Sequence, residues 1–226
     1  IGLLMSLAPV DYDFGVPANY AFAESITCSN DEARKMYVEA FGHMLNYNHE
    51  QAIACFTKCA ELDENCAMAW WGIAYCLSSS YNWSAGLGPG YDAISQAVAL
   101  KDHCSELEQD LIMALSKRHT KEARDNANPA ALNMGNSPEL NQAFADAMAP
   151  LYEKYKGNLD VTAIYVEALM NLNPWTLWNK DAASGEITPV DDSTLMLIKI
   201  MEDAFENVPG AKAVSYTHLT LPTRIF

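Results

Sequence analysis

Positive charge is scarce in this chain. Its 226 residues carry 14 Lys and Arg against 29 Asp and Glu, a formal net charge of −15. The acidic residues are spread along the sequence and form no block, which describes a solvated acidic surface. Nucleic acid and anionic membrane are therefore not expected as partners, because both require clustered Lys and Arg. Long apolar runs are missing too: none approaches the roughly 18 residues that a membrane span needs. GxSxG, HExxH and a phosphate-binding glycine loop are absent, and Gly86 to Gly90 (GLGPG) reads as a turn with no strand before it. No catalytic constellation stands out, and no cofactor is expected.

CxxC pairs are also lacking. The six cysteines, Cys28, Cys55, Cys59, Cys66, Cys76 and Cys104, lie mostly inside apolar helical patterns, which favours free buried thiols in a reducing compartment. The opening IGLLMSLAP reads either as the remnant of a secretory apolar region or as a segment packed on the domain, so the compartment stays open. Asn82 (NWS) fits a glycosylation acceptor and matters only in a secreted protein.

What the chain does contain is helical periodicity. Ser29 with Glu32 and Asn48 with Gln51 place an acceptor at an N-cap and a Glu or Gln three residues on, predicting helices over about 31–47 and 49–62. Their short connection makes them antiparallel neighbours. Further helices are predicted over about 66–77, 91–100 and from Ser105 to His119. After a long polar connection from Thr120 to Ser137, containing at most one helical turn, three more follow: one from SPEL at Ser137 to Gly157, one capped by Asp160 that ends before Pro174, and one over 192–207 beyond a polar loop at 179–189. No segment shows sustained alternation, so the fold class is all-α.

The stretch from Asn48 to Leu77 contains a repeat signature. Ala52, Phe56 and Cys59, spaced four then three apart, alternate small, aromatic and small side chains, and Trp70, Ile73 and Ala74 open a second unit. This pattern resembles the tetratricopeptide repeat, a pair of antiparallel helices in about 34 residues. Small residues there let helices approach, and Phe56 fills the space between them. The likeness is strong over about 31–77 and later extends only to the period; Met36 and Glu39 depart from it in the first helix. More narrowly, NHEQAIACFTKCAELDENCAMAWWGIAY, ALMNLNPWTLW and VPGA are similar to a group of tetratricopeptide proteins without an assigned biochemical activity, whose members continue with His-rich segments that this chain lacks.

The resemblance implies an α-solenoid of stacked helix pairs in which Trp70 packs and Tyr37, Phe41, Met68, Trp71 and Tyr75 line a concave groove. Repeats that grip acidic tails use Lys, Arg and Asn in that groove. Only Arg34 is basic here, so an apolar peptide or helix is the expected ligand. The other reading is that later helices, or a missing C-terminal part, cover this aromatic face. His43, His49, Cys55, Cys59 and Cys66 suggest a metal, with Cys55 and Cys59 on one helical face. But Cys59 falls on a small buried repeat position and His49 in a helix cap, so structural cysteines and no metal are expected.

The organisation read from the sequence is an N-terminal segment over 1–28, partly extended; a helical domain over 29–213; and a tail over 214–226. Val214 to Thr223 resembles the translation of an adapter used in sequencing libraries, which marks the tail as non-native and the chain as a fragment. The expected function is a protein-interaction scaffold, with its last helix left partly bare and the fragment prone to aggregate. The alternative is the helical N-terminal half of an enzyme or metal-binding protein whose site lies further on.

Overall fold

A computed structural model gives the structure of the chain and describes residues 21–78, 80–81, 88–125 and 137–207. The tail over 214–226, Asn82 and most of the segment over 1–28 lie outside the described residues. Helices dominate: α1 (Ala21–Ser25), α2 (Asp31–Leu45), α3 (His49–Leu62), α4 (Ala67–Cys76), α5 (Gly88–Leu100), α6 (Glu106–Ser116), α7 (Lys121–Asp125), α8 (Pro138–Lys154), α9 (Leu159–Met170) and α10 (Asp192–Asn207), with one 3-10 turn (Lys101–His103) between α5 and α6. The all-α class holds. No described helix is long and apolar enough to cross a membrane.

Capping chemistry sets most boundaries. Ser105 and Glu108 form the reciprocal capping box of α6, and Ser137 accepts from the Leu140 amide with Pro138 in the first turn of α8. The α2 cap shifts by one residue from the expectation: Asn30, not Ser29, accepts from the Ala33 amide at 2.7 Å. Asn48 precedes α3 without a side-chain cap bond. Asn158, not Asp160, caps α9 by accepting from the amides of Asp160 and Val161. Gly88 to Gly90 belongs to the first turn of α5 and is not a separate turn.

Two further differences concern the ends of the domain. The polar loop at 179–189 contains a short antiparallel hairpin, β1 (Trp178–Lys180) with β2 (Ile187–Pro189), in which Trp178 faces Pro189. Asp181 organises its turn by accepting from the amides of Ala183 and Ser184, and Gly185 supplies the positive φ of 74° that such a turn requires. At the other end, α1 packs on α2 through Phe22 and Phe41, whose ring centroids lie 6.0 Å apart, so the packed body reaches back at least to Phe22.

Consecutive helices pack in sequence from α2 to α6, and α6, α8, α9 and α10 continue the series. Alternate helices also meet, α2 with α4 and α4 with α6. Helix α4 lies at the centre: all ten of its residues except Trp70 are buried, as expected of a helix apolar on every side. Its close approach to α3 depends on Gly72, where a Cβ would run into the Phe56 ring.

Candidate functional site

The five side chains expected to line a groove do come together, but inside the protein. Tyr37, Met68 and Trp71 have no exposed surface, and Phe41 and Tyr75 keep 2% and 5%. Tyr37 stacks on Phe41 at 5.9 Å and tilts against Phe56 at 5.4 Å, while Trp71 lies 5.1 Å from Tyr75. The expectation of an open groove is therefore corrected, because α6 and α9 close over this face. Trp71 donates its indole N–H to the Leu111 carbonyl of α6 at 3.2 Å, and Tyr75 donates its hydroxyl to the Glu167 carboxylate of α9 at 2.6 Å. Trp71 and Tyr75 thus bury their rings and satisfy their polar ends within the protein.

The two tryptophans exchange the parts that the repeat implied. Trp71 is fully buried, whereas Trp70 is only partly covered. Of the other positions, Ala52, Phe56, Cys59 and Ala74 have no exposed surface and Ile73 keeps 8%.

A polar seam runs beneath the closing helices. Arg118, wholly buried, donates from Nε to Asn141 Oδ1 at 3.0 Å and lies 5.7 Å from the Phe144 ring centroid. Asn141 passes the connection on to the Asn171 carbonyl at 3.0 Å. Burial pushes the Glu167 carboxyl above its ordinary range, against the pull of the Tyr75 hydroxyl and the Arg118 charge. Glu108 on α6, also buried, takes three donors: the Thr27 amide at 2.7 Å, the Thr27 hydroxyl at 2.6 Å and the Ser105 amide at 2.8 Å. These contacts tie the segment ahead of α2 to α6.

A serine and a histidine also meet, Ser78 Oγ with His119 Nε2 at 2.8 Å. Ser78 Oγ lies 2.9 Å from the Ala74 carbonyl, and that bond takes its single hydroxyl proton and leaves Nε2–H as donor to Ser78. In this arrangement the imidazole is no base for the serine, and both residues are buried. The pair stitches α4 to the end of α6, with the His119 ring seated on Gly90 of α5.

The metal candidates read from the sequence separate into two groups. Cys59 and Cys66 converge with Cys28, while His43 and Cys55 converge with Glu39. Cys55 and Cys59, paired on one helical face by the sequence, fall in different groups. His49 belongs to neither, and its ring stacks on Tyr47 at 5.9 Å. Cys28 was not among the sequence candidates, although the α2–α3 hairpin places the start of one helix beside the end of the other.

Large apolar side chains are exposed elsewhere. Trp175, Ile187, Leu195 and Met196 keep 55%, 62%, 53% and 48% of their surface. Trp175 adopts a φ of 65°, unusual for a bulky residue, and its ring lies 5.8 Å from Tyr81. Residues 171–207 carry Lys180 and Lys199 against seven carboxylates, so these apolar groups sit in an acidic part of the chain.

No family model matches the chain, and neither a curated protein nor a solved structure matches it. The described residues define an all-α protein built of sequentially packed helices.

Proposed function

We propose that the chain is a helical-repeat scaffold of tetratricopeptide type that binds a protein or peptide through the surface around α10 and the β hairpin. The observation that carries this reading is the concentration of Trp175, Ile187, Leu195 and Met196, all about half exposed or more, in one part of the sequence. Sequential packing of helix pairs is compatible with a repeat architecture. Burying the remaining half of Leu195 and Met196 alone would contribute on the order of 1.5–3 kcal/mol before the costs of association. The surrounding carboxylates favour a partner that combines apolar anchors with basic flanks. The aromatic set Tyr37, Phe41, Met68, Trp71 and Tyr75 serves the core in this proposal and offers no contact.

The test is binding to an array of peptides with apolar centres and Lys or Arg flanks. Trp175→Ala combined with Leu195→Asp should abolish the strongest signals while leaving the far-UV circular dichroism of the protein unchanged. Undiminished binding by that folded variant would overturn the proposal.

A further inference from the structure

Three cysteines meet at one corner of the fold. Cys28 stands two residues ahead of Asn30, the N-cap of α2; Cys59 lies in the last turn of α3; and Cys66 is the N-cap residue of α4. Their sulfurs all lie within 4.8 Å of one another, and Cys59 Sγ is 3.8 Å from Cys66 Sγ. Cys59 and Cys66 have no exposed surface, whereas Cys28 is partly exposed.

The backbone around them is held by several bonds. The Ser29 amide donates to Asp63 Oδ2 at 2.5 Å, Asn30 Nδ2 to the Leu62 carbonyl at 3.0 Å, and the Cys66 amide to the Asp63 carbonyl at 3.0 Å. Arg34 reaches back from α2 and donates to the carbonyls of Ile26 and Cys28 at 2.7 Å and 3.0 Å. The sulfurs are thus presented by fixed elements and not by a loose loop.

Packing at the repeat position asks only for a small side chain at Cys59, which alanine would supply. It does not ask for three convergent sulfurs. A zinc–sulfur bond of about 2.3 Å in tetrahedral geometry separates two ligand sulfurs by ~3.8 Å, and trigonal geometry by ~4.0 Å. The Cys59–Cys66 edge already has this length. Cys28, the partly exposed member, has at most about 1 Å to close. An all-thiolate set selects soft closed-shell ions over magnesium or calcium. Asp63 is engaged by the amides of Ser29 and Asn65, so it orients the corner, and a fourth position is left open.

We propose that Cys28, Cys59 and Cys66 bind one thiophilic d10 ion, Zn2+ or Cu+, as a three-thiolate site that pins the start of α2 to the α3–α4 corner. Binding converts three thiols to thiolates and releases three protons to solvent. Zinc leaves the site with one net negative charge and copper(I) with two. Zinc is the better match for a mostly buried site, and the positive ends of α2 and α4 lie beside it. The site is independent of the scaffold reading, since none of its residues belongs to the surface around α10.

The experiment is an anaerobic titration of the reduced, metal-free full chain with Co2+ as a spectroscopic probe of the zinc site, and separately with Cu+ against a copper(I) chelator. One equivalent of Co2+ should produce sulfur-to-cobalt charge-transfer absorption that one equivalent of Zn2+ removes. Stoichiometric retention of Cu+ alone would assign the site to copper(I). Cys28→Ser should weaken binding at least about tenfold, while Cys55→Ser, which disables the Glu39–His43–Cys55 group, should leave it unchanged.

A readout on the unaltered chain guards against misfolded variants. Bound metal should protect Cys28, Cys59 and Cys66 from alkylation, mapped by mass spectrometry, while Cys55 stays reactive. Failure to hold either ion stoichiometrically, protection centred on Cys55, or an alkylation pattern indifferent to metal would each overturn the proposal.

Discussion

The ring of Phe56 rests directly on the backbone of Gly72, in the space that a Cβ would occupy. Phe56 has no exposed surface and its ring is flanked by Tyr37, so it has no free side toward which to move. Gly72→Ala should therefore destabilise the protein by roughly 1–3 kcal/mol despite alanine's better helix propensity. Urea unfolding measures this. Combining it with Phe56→Leu should recover part of the loss, and strictly additive effects would show that the ring is not the obstacle.

Tyr75 and Trp71 both donate across the core, but to acceptors of different charge. Tyr75→Phe leaves the buried Glu167 carboxylate without the donor at 2.6 Å, whereas Trp71→Phe strips one neutral carbonyl. Tyr75→Phe should cost about 2–4 kcal/mol and push the Glu167 carboxyl further upward. Trp71→Phe should cost less through its lost hydrogen bond, about 1–3 kcal/mol. Chemical denaturation of the two variants gives the comparison, and a larger bond-related loss in Trp71→Phe would contradict the assignment of partners.

Asp160 is 1% exposed, its Oδ2 has no hydrogen-bond partner among the described residues, and burial raises its carboxyl to about 7. The folded value lies above the unfolded one. The stability this group contributes is therefore fully present below about pH 4 and is lost as pH rises through about 7. Asp160→Asn should raise stability at pH ~8 by roughly 2–4 kcal/mol relative to its effect at pH ~5. His49, whose imidazole is held low by burial, acts in the opposite sense as pH falls, so the difference between variant and parent isolates Asp160. A difference independent of pH would refute the prediction.

Glu108 accepts three hydrogen bonds while almost wholly buried. In Glu108→Gln one oxygen becomes an amide donor that must face another donor. The expected cost is about 2–4 kcal/mol. Hydrogen exchange should show the Thr27 and Ser105 amides losing protection together, and unchanged exchange at Thr27 would argue against the tie.

Periodicity and capping residues carry the helices well: α3 and α10 span the residues that the sequence predicts, and the Ser105–Glu108 box stands where its spacing puts it. Local rules were weaker where two acceptors compete, as Ser29 and Asn30 do before α2. They were also weaker where Gly and Pro open a helix, as at α5. The aromatic set was legible as a set, but its fate was not. Whether Tyr37 and Trp71 meet solvent depends on α6 and α9, which lie far along the chain and leave no mark on the local pattern. Neighbouring residues on a helix point about 100° apart. In α4, apolar almost all round, nothing local says which of Trp70 and Trp71 turns inward. Sequence spacing does not group Cys28 with Cys59 and Cys66, because it lies outside any helix and joins them only through the α2–α3 hairpin.

The distances along the chain between Trp71 and Leu111 and between Tyr75 and Glu167, 40 and 92 residues, set an order of events during synthesis. A ribosome adding about 5–20 residues per second makes Tyr75 roughly 5–20 s before Glu167. Over that interval the aromatic face of α2 and α4 is already made and still lacks its cover, so the nascent chain passes through a sticky stage that the finished protein no longer shows.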